Sequence, residues 1–249
     1  METEERKFPI RVTDLHKGFG QQKVLDGLNL QVPEGETLAV LGRSGTGKSV
    51  LLKLLIGLTT PDSGSVRVCG QAIEGLDVRR LNEVRKKVGF LFQQAALYDS
   101  LTVEENVEFP LSRHKPMPEA ERKKRARELL ASVGMEKDLD KLPSEISGGM
   151  QKRVGLARAL ALDPEIILFD EPTAGLDPIT SAEISELIAG LKKKRRMTAV
   201  VVTHDIRAAR TFADRVVLVH EGKVQAEGSF AELQDSQDPI VGKFLQDGC

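Results

Sequence analysis

Residues 42–49 read Gly42-Arg43-Ser44-Gly45-Thr46-Gly47-Lys48-Ser49, a match to G-x-x-x-x-G-K-[ST], and what flanks them decides the fold. Thr37 to Leu41 before them is a short apolar run. Lys48 to Ile56 after them carries Val50, Leu51, Leu54 and Leu55 at helical spacing and stops at Gly57. The order is strand, glycine loop, helix. Glycines let successive backbone N–H groups turn inward on phosphate oxygens, and the helix N-terminus adds partial positive charge. In that arrangement Lys48 neutralises the β and γ phosphates and Ser49 gives its hydroxyl to Mg²⁺.

Working outward, the chain alternates strands with helices. Ile166–Phe169 and Ala199–Val202 are four-residue apolar runs bounded by polar residues, the pattern of parallel strands buried on both faces. Ile184, Leu187, Ile188 and Leu191 mark one face of the helix between them. Residues 8–36 and 64–70 carry short β patterns with turn residues and predict an antiparallel side sheet. From Leu97 to Leu162 the pattern is helical: Thr102 with Glu105 has the form of a capping box, and Pro118 to Gly134 opens on proline and closes on glycine. Val216–Val219, Glu221-Gly222 and Val224 predict a hairpin. The basic run Arg122 to Arg127 alternates with Glu119, Glu121 and Glu128 and reads as a solvated helix face.

A second chemical element is the strand Ile166–Phe169 ending in Asp170-Glu171. Consecutive strand side chains point to opposite faces, so the two carboxylates have different parts: Asp170 in the Mg²⁺ shell, Glu171 as general base on the attacking water. His204 follows the strand Ala199–Val202, whose C-terminal end meets the ligand crevice in a parallel nucleotide-binding sheet.

Composition narrows the alternatives. The 249 residues hold 36 Lys+Arg against 37 Asp+Glu, a net charge of −1, which argues against binding nucleic acid by phosphate neutralisation. The longest stretch without Asp, Glu, Lys or Arg, Val88–Tyr98, is 11 residues, well short of the roughly 20 a membrane-spanning helix needs. Cys69 and Cys249 have no metal-ligand spacing, and no secretory or organellar leader is read in Met1–Lys7; both features fit the cytosol.

Ile146-Ser147-Gly148-Gly149-Met150-Gln151-Lys152-Arg153 resembles the LSGGQ signature of ATP-binding-cassette (ABC) ATPases, and the resemblance extends over about residues 8–230. It implies an α/β P-loop NTPase (RecA-like) core with an antiparallel β subdomain and an α-helical subdomain. One unit of 8–240 is expected, with core and β subdomain in 8–95 and 163–230, helices in 96–162, and a tail at 231–249. The resemblance also implies ATP and Mg²⁺ as cofactors, and a residue set. Lys48, Gln93, Glu171 and His204 are its catalytic residues. The nucleotide would be held by Phe19 against adenine, by Gly42, Arg43, Ser44, Gly45, Thr46, Gly47, Lys48, Ser49 and Val50, and by Gln93 and His204. Ser147, Gly148, Gly149 and Asp177 would serve the ATP of a second copy. Ser49, Gln93 and Asp170 would hold the metal.

One phosphate loop and one signature per chain then imply an ATP-bound head-to-tail homodimer. A cassette standing alone resembles those of membrane transporters, whose permease docks beside Gln93, here at residues 94–101. The strings from Phe92 to Val103, Glu108-Phe109-Pro110-Leu111 and Asp177-Pro178-Ile179-Thr180 are similar to the ATPases of Mla-type, MCE-associated phospholipid transporters. That similarity implies a permease and an MCE-domain partner at the cytoplasmic face of the inner membrane, and no nucleic acid. Regulation of an envelope or cell-division complex without transport, or transport of another substrate, stays open. The chain departs from the usual pattern at Ile146 for Leu, Met150 for Gln and Val50 for Thr.

Overall fold

The computed structural model describes residues 7–43, 45–195 and 197–247; Ser44, Arg196 and both termini, with Cys249, lie outside it. Its centre is a sheet of six strands in the order β10-β9-β3-β8-β7-β6 among the described residues. These strands are β3 (Thr37–Leu41), β6 (Val88–Leu91), β7 (Ile166–Asp170), β8 (Thr198–Thr203), β9 (Arg215–His220) and β10 (Lys223–Gly228). All neighbours are parallel except β9 and β10, which form the expected hairpin.

Every residue of β3, β7 and β8 is buried, as expected for strands covered on both faces. Alternation sorts them into two cores. Leu38, Val40, Ile166, Leu168, Val200 and Val202 face helix α1 (Lys48–Leu55) and the side sheet; Ala39, Leu41, Ile167, Phe169, Ala199 and Val201 face the helices of the opposite layer. The side sheet has the antiparallel order β2-β1-β4-β5, with β1 Ile10–Phe19, β2 Gln22–Val32, β4 Ser63–Val68 and β5 Gln71–Ala72. A short helix, α2 (Val78–Lys86), leads into β6.

Between β6 and β7 come α3 (Val103–His114), α4 (Glu119–Ser132) and α5 (Gly148–Ala159). The capping box forms: Thr102 Oγ accepts from Glu105 N–H at 3.2 Å, and the Glu105 carboxylate accepts from Thr102 N–H at 2.8 Å. Ala126, Leu129 and Leu130 bury the apolar face of α4. The basic run is more than a solvated face. Arg122 bonds Glu108 at 2.9 Å and Arg127 bonds Glu104 at 2.8 Å, so two of its guanidiniums tie α4 to two buried glutamates of α3.

Helix α6 (Pro178–Arg195) packs on the same layer, followed by α7 (Ile206–Phe212). The stretch read as a tail holds two helices, α8 (Phe230–Gln234) and α9 (Pro239–Asp247), which bury Leu233, Val241 and Leu245 in the helix-side core. No helix among the described residues is long and apolar enough to cross a membrane.

Ile167 is fully buried at the centre of β7. Ile167→Ala is expected to lower stability by about 2–5 kcal/mol, seen as a lower urea midpoint at unchanged m-value.

Candidate functional site

The site collects at the carboxyl edge of the parallel strands. After β3 the chain turns through Gly45 and Gly47, with φ of 83° and 92°. A side chain does not fit at Gly47, because its φ is one that residues with a Cβ rarely adopt and a Cβ there would lie 2.7 Å from Val24 Cγ1 and 2.9 Å from the Val24 carbonyl oxygen. A Cβ at Gly42 would lie 2.7 Å from the Val219 carbonyl oxygen. Helix α1 starts without a side-chain cap, so its first N–H groups are left for an anion; α2, α3 and α5 are instead capped by Asp77, Thr102 and Ser147.

Lys48 is buried. Its Nζ donates to the carbonyls of Gly42 at 2.7 Å and Arg43 at 2.9 Å and lies 3.8 Å from Glu171 Oε1. Burial lowers its pKa, and the charges of Glu171 and Asp170 oppose that shift. Ser49 Oγ donates to Asp170 Oδ1 at 2.7 Å. Burial raises the Asp170 pKa; the Ser49 hydrogen bond counters it and the neighbouring Glu171 charge adds to it. Among the described residues no three His, Cys, Asp or Glu side chains gather as a metal site. A hydroxyl touching one carboxylate instead suits Mg²⁺, which keeps much of its water and takes further oxygens from phosphates.

Glu171 sits just past the end of β7 with φ of 46°. Its separation from Asp170 therefore comes from a left-handed backbone turn, where strand alternation was expected. Its N–H donates to the Val202 carbonyl at 2.9 Å, and its Oε2 lies 3.0 Å from His204 Nδ1. Lys48, Ser49, Asp170, Glu171 and His204 thus form one connected cluster. A carboxylate so placed can accept a proton from water, and an imidazole beside it can hold or pass one.

Other expected residues stand apart from that cluster. Gln93 is exposed and joins through its backbone, its carbonyl accepting from Lys152 Nζ. Phe19, 54% exposed at the end of β1, offers a ring face with Lys17 Nζ 5.3 Å from its centroid. Val50 is half-buried in the first turn of α1. Ser147, Gly148, Gly149 and Asp177 form a second cluster. Ser147 Oγ accepts from Met150 N–H at 3.3 Å, Asp177 accepts from Thr180 Oγ at 2.6 Å, and a Cβ on Gly149 would meet Thr180 Cγ2 at 2.4 Å. Ser147 and Gly148 are exposed at the start of α5, open to a ligand from outside the chain.

Three residues escaped the sequence reading. Lys152 shares the buried face of α5 with Gly149 and Leu156 and donates to the carbonyls of Gln93 and Glu171. Burial pushes its pKa down to about 8 against the opposing charges of Asp170 and Glu171. Arg158, two turns on, donates to the carbonyls of Ala95 at 2.6 Å and Ala96 at 2.8 Å, which have φ of 57° and 49°. Asn106, fully buried, donates to the carbonyls of Tyr98, Leu101 and Thr102 and accepts from Tyr98 N–H. A lysine in helical register with buried residues was the one readable signal.

The segment held in this way borders a groove of about 460 Å³ lined by Phe90, Phe92, Ala96, Tyr98, Phe109 and Arg158 among others. Ala95 is buried and Leu97 packs against the helix-side core, whereas Ala96 and Tyr98 face out.

The ABC transporter family model matches residues 25–174, from β2 across the phosphate loop and the signature to just past Glu171. The chain belongs to the ABC transporter family. It is an ATP-binding, ATP-hydrolysing cassette of that family. It is 43% identical over 95% of its length to mkl of Mycobacterium tuberculosis, named a probable ribonucleotide transport ATP-binding protein, and spans 66% of that relative. It is 41% identical over 95% of its length, and 90% of the relative's, to MlaF of Haemophilus influenzae, an intermembrane phospholipid transport system ATP-binding protein. The methionine import ATP-binding protein MetN of Rhizobium johnstonii is 40% identical over 95% of this chain and 65% of its own. Among solved structures, the dimeric cassette MJ0796 in a post-hydrolysis state with ADP and Pi has a TM-score of 0.81 at 38% identity, covering 88% of this chain and 98% of that one.

Because a methyl on Gly149 would force Thr180 to turn and release Asp177, Gly149→Ala is expected to slow ATP hydrolysis at least tenfold. Binding of ADP, measured by calorimetry, should stay within about threefold, since the phosphate loop is untouched; a tenfold change is about 1.4 kcal/mol.

Proposed function

We propose that two copies of this chain close head-to-tail on ATP and that this closure drives a membrane permease moving phospholipid between membranes. The observation that carries the dimer is the split between the two clusters. The phosphate loop with Lys48, Ser49, Asp170, Glu171 and His204 gathers at one edge of the sheet, while Ser147 and Gly148 stand exposed on α5 and Asp177 bonds Thr180 beside Gly149. In this reading each ATP lies between the phosphate loop of one copy and the signature of the other. That places the loss of the γ-phosphate, and of its contacts, at the step that opens the dimer.

Residue roles follow the chemistry of the groups. Lys48 and the N–H groups of residues 42–50 hold the phosphates. Ser49 and Asp170, with the exposed Gln93, take Mg²⁺, which would supply charge neutralisation on the phosphates. Glu171 accepts the proton of the attacking water, His204 holds Glu171 and the γ-phosphate region, and Phe19 stacks on adenine. The helical segment 96–162 carries the signature and borders the groove at Phe92, Ala96 and Tyr98, and there the permease docks. The likeness to MlaF over nine-tenths of that protein supports phospholipid as cargo, an MCE-domain partner and a place at the cytoplasmic face of the inner membrane. The similar identity to MetN favours amino-acid import as the second reading.

Glu171→Gln should bind ATP and dimerise, with turnover lowered at least a hundredfold, a barrier rise of about 3 kcal/mol; ATPase assays and size-exclusion chromatography with ATP read both. Near-normal turnover would sink the general-base role. For the cargo, the native complex purified from membranes should carry phospholipid by mass spectrometry, whereas a complex that binds methionine and no lipid would favour import.

A further inference from the structure

Lys152 is a cation with 5% exposure whose ammonium touches two backbone carbonyls, that of Gln93 and, at 3.0 Å, that of Glu171. The second acceptor is the informative one. Glu171 has a left-handed backbone that a residue with a Cβ seldom adopts unless its neighbours hold it. Its N–H is held by the Val202 carbonyl at 2.9 Å, and its C=O is held by Lys152. With both adjoining peptide groups pinned, the side chain is aimed at His204 Nδ1, 3.0 Å away, and toward Lys48 Nζ at 3.8 Å.

The lysine comes from the helix that Ser147 caps, and Arg158 on the same helix holds Ala95 and Ala96. Helix α5 therefore reaches from the exposed signature to the backbone of Glu171 and to the floor of the groove. Gly155, also on α5, packs against the buried residues behind the groove, since a Cβ there would lie 2.8 Å from Leu91 Cδ1 and 3.2 Å from Ala95 Cβ.

We propose that Lys152 is a positioning residue for hydrolysis: through the Glu171 carbonyl it fixes the direction of the Glu171 carboxylate, and so ties catalysis to the placement of the signature helix. The inference rests on Glu171 acting as the general base.

The test uses the 249-residue chain with Lys152→Met and Lys152→Arg, each alone and combined with Glu171→Gln. Lys152→Met should lower kcat at least tenfold with KM for ATP within threefold, and Lys152→Arg, which keeps a cationic donor, should retain at least a third of the wild-type kcat. On the Glu171→Gln background Lys152→Met should lower single-turnover hydrolysis less than twofold, because the group it positions is already gone. A full tenfold loss on that background, or a Lys152→Met kcat within twofold of wild type while Glu171→Gln is inactive, overturns the role of Lys152 alone. Near-normal turnover by Glu171→Gln overturns the general-base reading and the positioning role with it. If Lys152→Met does not fold, Lys152→Ala, which also removes the donor, gives the same cycle.

Discussion

The Lys48 ammonium is buried at the edge of a parallel sheet, between the carbonyls of Gly42 and Arg43 and within 3.8 Å of the Glu171 carboxylate. A buried cation without such partners costs several kcal/mol, so the oxygens around it cannot be moved independently. The two carbonyls are available only because the loop bends through glycines, and Gly42 and Gly47 have neighbours within 2.9 Å of where a Cβ would stand. The carboxylate is available only because β7 lies two strands from β3, with β8 between them. One charge thus binds loop, helix and two strands into a single arrangement, and that arrangement leaves the uncapped start of α1 open to phosphate.

Helix α5 repeats this device on the other side of the site. It places two cations on backbone carbonyls of residues in left-handed conformation: Lys152 on Glu171, Arg158 on Ala95 and Ala96. Strained backbone persists where surrounding structure over-determines it. Here the strain lies at Glu171 and beside the groove, and side chains of one helix help to hold both. Its first turn carries the exposed Ser147 and Gly148. The signature and the groove therefore meet the same helix.

Membership of the ABC transporter family accounts for ATP chemistry on this fold, and the relatives named for ribonucleotide, phospholipid and methionine transport share it at similar identity. Such likeness extends over 95% of the chain, the nucleotide site included. Relatives with differently named cargos therefore share the nucleotide site, and that site by itself does not distinguish the cargo.

Local sequence determined the strand, loop and helix around Lys48, the buried runs of β7 and β8, the capping box at Thr102 and the hairpin at Gly222, because each depends on neighbours a few residues apart. The candidate chemical residues stand out for the same reason: glycines, a lysine and a hydroxyl at fixed spacing, and carboxylates at a strand end. Tertiary structure decided the rest. That Asp170 and Glu171 diverge through a left-handed turn is set by Val202 and Lys152, 31 and 19 residues from Glu171 along the chain. That Arg122 and Arg127 bridge two helices where charge pattern predicts a solvated face is set by Glu108 and Glu104 on α3. Lys152, beyond its helical register with buried residues, and the half-buried Arg158 give no sign of their partners, since the groups they serve are carbonyls, and a carbonyl leaves no mark in the side-chain sequence.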